Sequence, residues 1–178
     1  MNLLREVVAR LRQEGIHHAL IGAAAMAVHG VSRSTADVDL LTVDPRSLEA
    51  ELWTPVAGDR VTLRILKGDF DDPLAGSVRL SAPGERMVDV VVGRHHWQAE
   101  IVERAEPVTI GDLELPVVGP AGLVLLKLYA GGPKDAWDIR ALLESHEQAA
   151  SIQAEVDEAV TRLTPESRRL WERIREGR

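Results

Sequence analysis

No cysteine occurs in the 178 residues. That removes disulfides, thiol nucleophiles and Cys-ligated zinc, and it fits a chain kept in the cytoplasm. Aromatics are nearly as scarce. One Phe, one Tyr and four Trp are too few for the stacking platforms that bind single-stranded nucleic acid. Positive charge is not in surplus either. A net charge of −7 argues against broad, sequence-independent nucleic-acid binding and leaves room only for a local basic patch touching a small part of an RNA. No run of eighteen apolar residues and no charged-apolar-small leader is present, so neither membrane spanning nor secretion is expected. What remains is 45% hydrophobic, enough for one compact domain with a small helical appendage.

The most informative stretch runs from Ile21 to Val43. An apolar run (Ala19, Leu20, Ile21) meets Gly22 and then the helix formers Ala24, Ala25, Met26, Ala27 and Val28. A strand, a glycine turn and a helix start bring several N–H groups and a positive helix end together near Gly22, a combination that binds phosphate. Gly30 ends the short helix. The loop after it supplies one cation, Arg33, and three hydroxyls, Ser32, Ser34 and Thr35. Asp37-Val38-Asp39 then enters a strand, where residues two apart share a face, so both carboxylates point one way while Val38 and Leu40 point inward. Two like charges side by side call for a cation. A lone D-x-D is most often a solvated strand face, and a lone glycine is most often a turn. The ordered set of strand, Gly, short helix, Gly, basic-hydroxyl loop and D-x-D strand reads as a phosphate pocket beside a divalent-metal clamp.

The rest of the chain supplies a frame. Leu3, Leu4, Val7, Val8 and Leu11 recur at helical spacing before Gly15. Residues 16–21 follow as a strand whose His17 and His18 face opposite ways and form no joint metal site. A helix is expected over residues 47–53 after the Asp44-Pro45 turn, and strands over 61–66, 77–80 and 86–92, with a hairpin turn at Pro83-Gly84. The acidic segment 68–73 reads as a solvated loop. Within residues 86–92, Asp89 stands alone in an apolar, β-branched run, where an unpaired carboxylate is costly to bury. Joining it to Asp37 and Asp39 as a third ligand is the economical reading, and a structural pair with Arg79 or Arg86 is the other.

Residues 97–105 form a helix by pattern. Residues 108–118 form a hairpin turning at Gly111-Asp112, and a helix opens after Gly119-Pro120. Its one charge, Lys127, either snorkels to the surface or points at a phosphate. Beyond Gly131-Gly132-Pro133 another helix carries Asp135 and Asp138 on one face of its first turn. Helices follow from Ser151 onward, the last opening at Thr164-Pro165. Its arginines, 168, 169, 173 and 175, are solvated pairs or a contact surface for an RNA end. Only the change near Gly119, from mixed strands to helices, suggests a boundary, dividing residues 1–118 from a helical region, 119–178, packed on them as a single compact unit.

With Gly22, Arg33, Thr35, Asp37, Asp39, Asp89 and the segment from Lys127 to Asp138 in hand, the chain resembles a minimal nucleotidyltransferase of the polymerase-beta superfamily. Within that group it is most similar to the AbiEii-type nucleotidyltransferases, many of them toxins of bacterial toxin–antitoxin pairs. The family's R-x-[ST]-x-D-x-D is here Arg33-Ser34-Thr35-Ala36-Asp37-Val38-Asp39. Its third acid matches Asp89. Its K-L, K-D, D-I and L-L steps match Lys127-Leu128, Lys134-Asp135, Asp138-Ile139 and Leu142-Leu143.

The resemblance implies an α+β fold, a mixed twisted sheet flanked by helices, with C-terminal helices. It implies transfer of a nucleoside monophosphate from a nucleoside triphosphate to an acceptor hydroxyl on an RNA end, a protein or a small molecule. Two Mg²⁺ or Mn²⁺ ions would lie on Asp37, Asp39 and Asp89, which are also the catalytic residues. Gly22, Arg33, Ser34, Thr35, Lys127, Lys134 and Asp138 would bind the nucleotide. tRNA is one implied acceptor and a cognate antitoxin one implied partner; no membrane is involved. Ala23 departs from the family's second Gly or Ser, so a hydroxyl that would touch the triphosphate is missing. That departure favours the rival reading, a catalytically weak nucleotide-binding or partner-binding module, which the full set of three acids opposes.

Overall fold

The computed structural model describes residues 2–32, 35–145 and 147–177. Its contacts divide the chain into two compact units, Met1–Ala24 with Ser34–Val118, and Ala25–Arg33 with Gly119–Arg178.

The first unit is organised on a mixed sheet, as an α+β fold requires. Among the described residues its strands are β1 (Ala19–Ile21), β2 (Asp37–Thr42), β3 (Thr62–Lys67), β4 (Gly76–Ser81), β5 (Met87–Val92), β6 (Glu106–Ile110) and β7 (Leu113–Val117). They lie in the order β3-β4-β5-β2-β1-β7-β6. β2 runs parallel to β5 and β1 parallel to β7, while the remaining neighbours are antiparallel. Alternation decides the faces. Val38 and Leu40, Val78 and Leu80, and Val88, Val90 and Val92 are all buried, so their strands turn one face to the core.

Helix α1 (Asn2–Gln13) contributes Leu3, Leu4, Val7, Val8 and Leu11 to that core and packs on β5. Its start is capped from far along the chain: the Leu3 N–H donates to Glu85 Oε2 at 2.7 Å. This supplies an acceptor for one of the N–H groups that a helix start leaves unpaired. Arg60 clasps Glu85 and Glu6 at 2.8 and 2.7 Å, tying α1 to the turn that leads into β5.

Two local expectations need correction. The first strand is shorter than residues 16–21. Side-chain and loop bonds take up the segment before Ala19: the Ile16 N–H donates to Leu11 O and Thr42 Oγ1 to His17 O at 2.7 Å. His17 is exposed and His18 buried, so the two do face opposite ways. The expected helix over 47–53 is broken. A 3₁₀ turn, Pro45–Leu48, and a single turn, α3 (Ala50–Trp53), meet at Glu49, which is extended with φ −94° and ψ 128°. Ser47 O accepts from the indole N–H of the fully buried Trp53 at 2.9 Å. A continuous helix would have claimed that carbonyl for its own ladder.

Helix α2 (Gly22–Val28) begins in the first unit and ends in the second, and α4 (His96–Glu103) packs on β2. The second unit contains α5 (Pro120–Ala130), α6 (Asp135–Ser145), α7 (Ala149–Ala159) and α8 (Pro165–Arg175). α5 is its apolar centre, burying Leu123, Val124, Leu125 and Leu128, and the other three helices pack on it. Thr164 caps α8 by accepting from the Ser167 N–H at 3.2 Å, with Pro165 in the first turn. Asp157 of α7 accepts from the Trp171 indole and from Arg175 of α8 at 2.7 and 2.8 Å. Among the described residues, no helix is long and apolar enough to cross a membrane.

Candidate active site

The three acids meet because of one register. In the parallel β2–β5 ladder Asp39 lies opposite Asp89, and Asp37 lies opposite Met87. Period-two alternation puts Asp37 and Asp39 on one face, and the in-register pairing brings Asp89 to the same face. One carboxylate oxygen from each falls within 4.8 Å of the other two, and all three residues are half-buried. Three anions so close repel in a partly dehydrated place. An all-oxygen donor set of this kind suits a hard divalent ion such as Mg²⁺ or Mn²⁺.

Two neighbours set these carboxylates. Thr35 Oγ1 donates to Asp37 Oδ1 at 2.6 Å, so its hydroxyl orients Asp37. Gly22 makes room for Asp39. It has φ 65°, and a Cβ built on it would stand 2.1 Å from Asp39 Oδ2. The turn glycine thus has a steric duty toward an acid on the adjacent strand. Ala23, next along, is buried.

A fourth residue joins the acids. Arg79 on β4 lies opposite Asp89 and forks onto it, with Nε donating to Oδ1 at 2.8 Å and Nη2 to Oδ2 at 2.6 Å. Hydrogen bonding and charge from Asp89, with Asp37 and Asp39 behind it, raise the guanidinium pKa above its usual value. From sequence, Arg79 was only one of two possible structural partners for Asp89. Its own S-V-R-L alternation fixes its face but not the residue opposite, because register between strands is not a local property.

Arg33 and Ser34 lie outside the described residues. Lys127, Lys134 and Asp138 belong to the second unit. Lys127 is buried, its ammonium donating to Asp135 Oδ1 at 3.2 Å and, more closely, to Asp138 Oδ2. Asp135 in turn accepts from the Gly132 N–H at 2.7 Å. One cation thus fastens α5 to the first turn of α6. Lys134 is exposed. The structure therefore gathers Gly22, Thr35, Asp37, Asp39 and Asp89 in one unit, and Lys127 and Asp138 in the other.

A mixed sheet with helices, carrying paired acids on one strand and a third on its parallel neighbour, defines a nucleotidyltransferase-type fold. The family described as "Nucleotidyl transferase of unknown function (DUF2204)" matches residues 1–176, and the chain belongs to it. The protein is thus a nucleotidyltransferase. Solved structures agree on the fold. ANT(2'')-Ia in complex with adenylyl-2''-tobramycin shares 14% identity over 89% of this chain and 97% of that one, with a TM-score of 0.54. A putative nucleotidyltransferase from Thermotoga maritima shares 17% over 82% and 92%, with a TM-score of 0.55. The lincosamide antibiotic adenylyltransferase LnuA, bound to lincomycin, shares 10% over 82% and 97%, with a TM-score of 0.50. No curated protein matches the sequence.

Proposed function

We propose that this nucleotidyltransferase moves a nucleoside monophosphate from a nucleoside triphosphate to an acceptor hydroxyl, with Asp37, Asp39 and Asp89 as its metal-holding, catalytic residues. The observation that carries the reading is the gathering of three carboxylate oxygens within 4.8 Å on parallel neighbouring strands. When bound, Mg²⁺ or Mn²⁺ would supply positive charge for the triphosphate and for the attacking oxygen. Asp37 is held for this by Thr35, and Asp39 by the space that Gly22 leaves. Asp89, the third acid, would take up the proton of the attacking hydroxyl. The hydroxyl oxygen bonds to the α-phosphorus and pyrophosphate departs. The protein's part is position and charge rather than a covalent intermediate.

The Gly22 turn, Arg33, Ser34 and Thr35 are the proposed nucleotide contacts, whereas Lys127 and Asp138 are engaged with each other within the second unit. The R-x-[ST]-x-D-x-D motif of residues 33–39 supports an AbiEii-type toxin, with tRNA as an acceptor and an antitoxin as a partner. Folds similar to this one belong to proteins named for antibiotic adenylylation, so a small-molecule acceptor is the second reading. Incubating the chain with each labelled triphosphate and Mg²⁺, with total RNA, protein extract or an antibiotic panel in turn, separates the two. Label in tRNA supports the first and label in an antibiotic the second. No transfer with any triphosphate, under conditions where the chain is folded, would refute both.

A further inference from the structure

We propose that Arg79 is a positioning residue that occupies Asp89 in place of a divalent cation and competes with that cation for the carboxylate. The inference rests on the metal-dependent reading above. Three observations carry it.

The fork takes both oxygens of Asp89, at 2.8 and 2.6 Å, and one of these is an oxygen that a metal shared with Asp37 and Asp39 would use. A bidentate guanidinium satisfies a carboxylate well and fixes its orientation, so an incoming ion meets Asp89 already engaged.

Arg79 is also pressed toward the acids from the other side. Arg64 of β3 lies directly opposite it in the β3–β4 ladder and is exposed. Like charges facing each other across a ladder repel. A single transverse row thus reads Arg64, Arg79, Asp89, Asp39 over four neighbouring strands, two cations then two anions. Leaning toward β5 relieves repulsion at both junctions of that row.

Finally, the pair is asymmetric in exposure. The Arg79 side chain is 51% exposed and that of Asp89 13%. Arg79 can swing into water at little cost, since half-exposed ion pairs are weakly held. Asp89 stays on its strand, ready for another cation. Arg79 therefore serves the metal-free protein by relieving repulsion among three acids, and gives way when an ion arrives.

The test titrates Mn²⁺ alone into the full chain, by calorimetry and by the electron paramagnetic resonance of free Mn²⁺, and measures melting in EDTA. Arg79→Gln should bind Mn²⁺ roughly tenfold more tightly, since a neighbouring positive charge is gone. It should melt below the wild type in EDTA and recover with Mn²⁺. Arg79→Lys, which keeps the charge without the fork, should fall between, and it decides the matter if Arg79→Gln does not fold. Unchanged or weaker Mn²⁺ binding in the folded variant would overturn the competition and leave the metal reading standing. If the wild type itself binds no Mn²⁺, and Asp39→Asn behaves the same way, the metal reading fails and this inference falls with it.

Discussion

Gly22 and Asp39 fit only because Gly22 has no side chain: a Cβ there would lie 2.1 Å from the Asp39 Oδ2. Its φ of 65° adds the left-handed backbone cost that an L-residue pays, about 1–2 kcal/mol. Gly22→Ala should therefore lose at least that much stability in urea unfolding. It should also weaken Mn²⁺ binding, because Asp39 must rotate away. Normal metal affinity in a folded Gly22→Ala protein would mean that Asp39 has room the geometry does not give it.

Asp39→Asn and Asp89→Asn should each abolish transfer of labelled nucleotide, and the double variant should lose little more, because residues acting as a unit are non-additive. Their stabilities in EDTA should differ. Asp39→Asn removes a like charge and should leave the melting temperature unchanged or raise it. Asp89→Asn also breaks the fork with Arg79, a half-exposed pair worth at most about 1 kcal/mol, so its melting should change little. A loss several times larger for Asp89→Asn, with transfer retained, would make Asp89 a structural acid.

Lys127→Ala should destabilise the chain strongly. The ammonium is the partner of Asp135 and of the almost wholly buried Asp138, and breaking a buried pair by removing one member costs about 3–5 kcal/mol. Urea unfolding measures this directly. Triphosphate affinity, measured on the folded fraction, tests separately whether Lys127 also contacts phosphate.

His18 predicts acid sensitivity. Burial lowers its pKa from 6.5, opposed in part by the bond between Nδ1 and Ile16 O. The unfolded chain then takes up a proton near that value while the folded chain does not. Stability from this group is present above pH 6.5 and is lost as pH falls below it, by up to about 1.4 kcal/mol per unit until the folded histidine also protonates. Unfolding followed between pH 7.5 and 5 should show this slope, and His18→Gln should flatten it.

Much of this was legible from residues close together in the chain. Alternation put Asp37 and Asp39 on one face, and the Gly22 and Gly30 signals bracketed a short helix that is observed. The hairpin turns at Pro83-Gly84 and Gly111-Asp112 join strands as expected. Asp89 stands out in the sequence because a carboxylate in an apolar strand needs a partner. The broken helix at Glu49 was not legible, since it depends on Trp53 reaching back to the Ser47 carbonyl. The partners of Lys127, Asp135 and Asp138, are not legible from the sequence either. They lie eight and eleven residues onward, beyond a Gly-Gly-Pro turn whose direction no periodicity states.

By itself the sequence determined which residue types could do the chemistry and which faces of their own elements they occupy, because helix and strand periods are local. Only the tertiary structure decided who stands opposite whom. Asp89 faces Asp39 on one side and Arg79 on the other because strand register is set by packing between segments distant in the chain. A one-residue slip, invisible in composition or pattern, would turn every one of those side chains to the other face of the sheet.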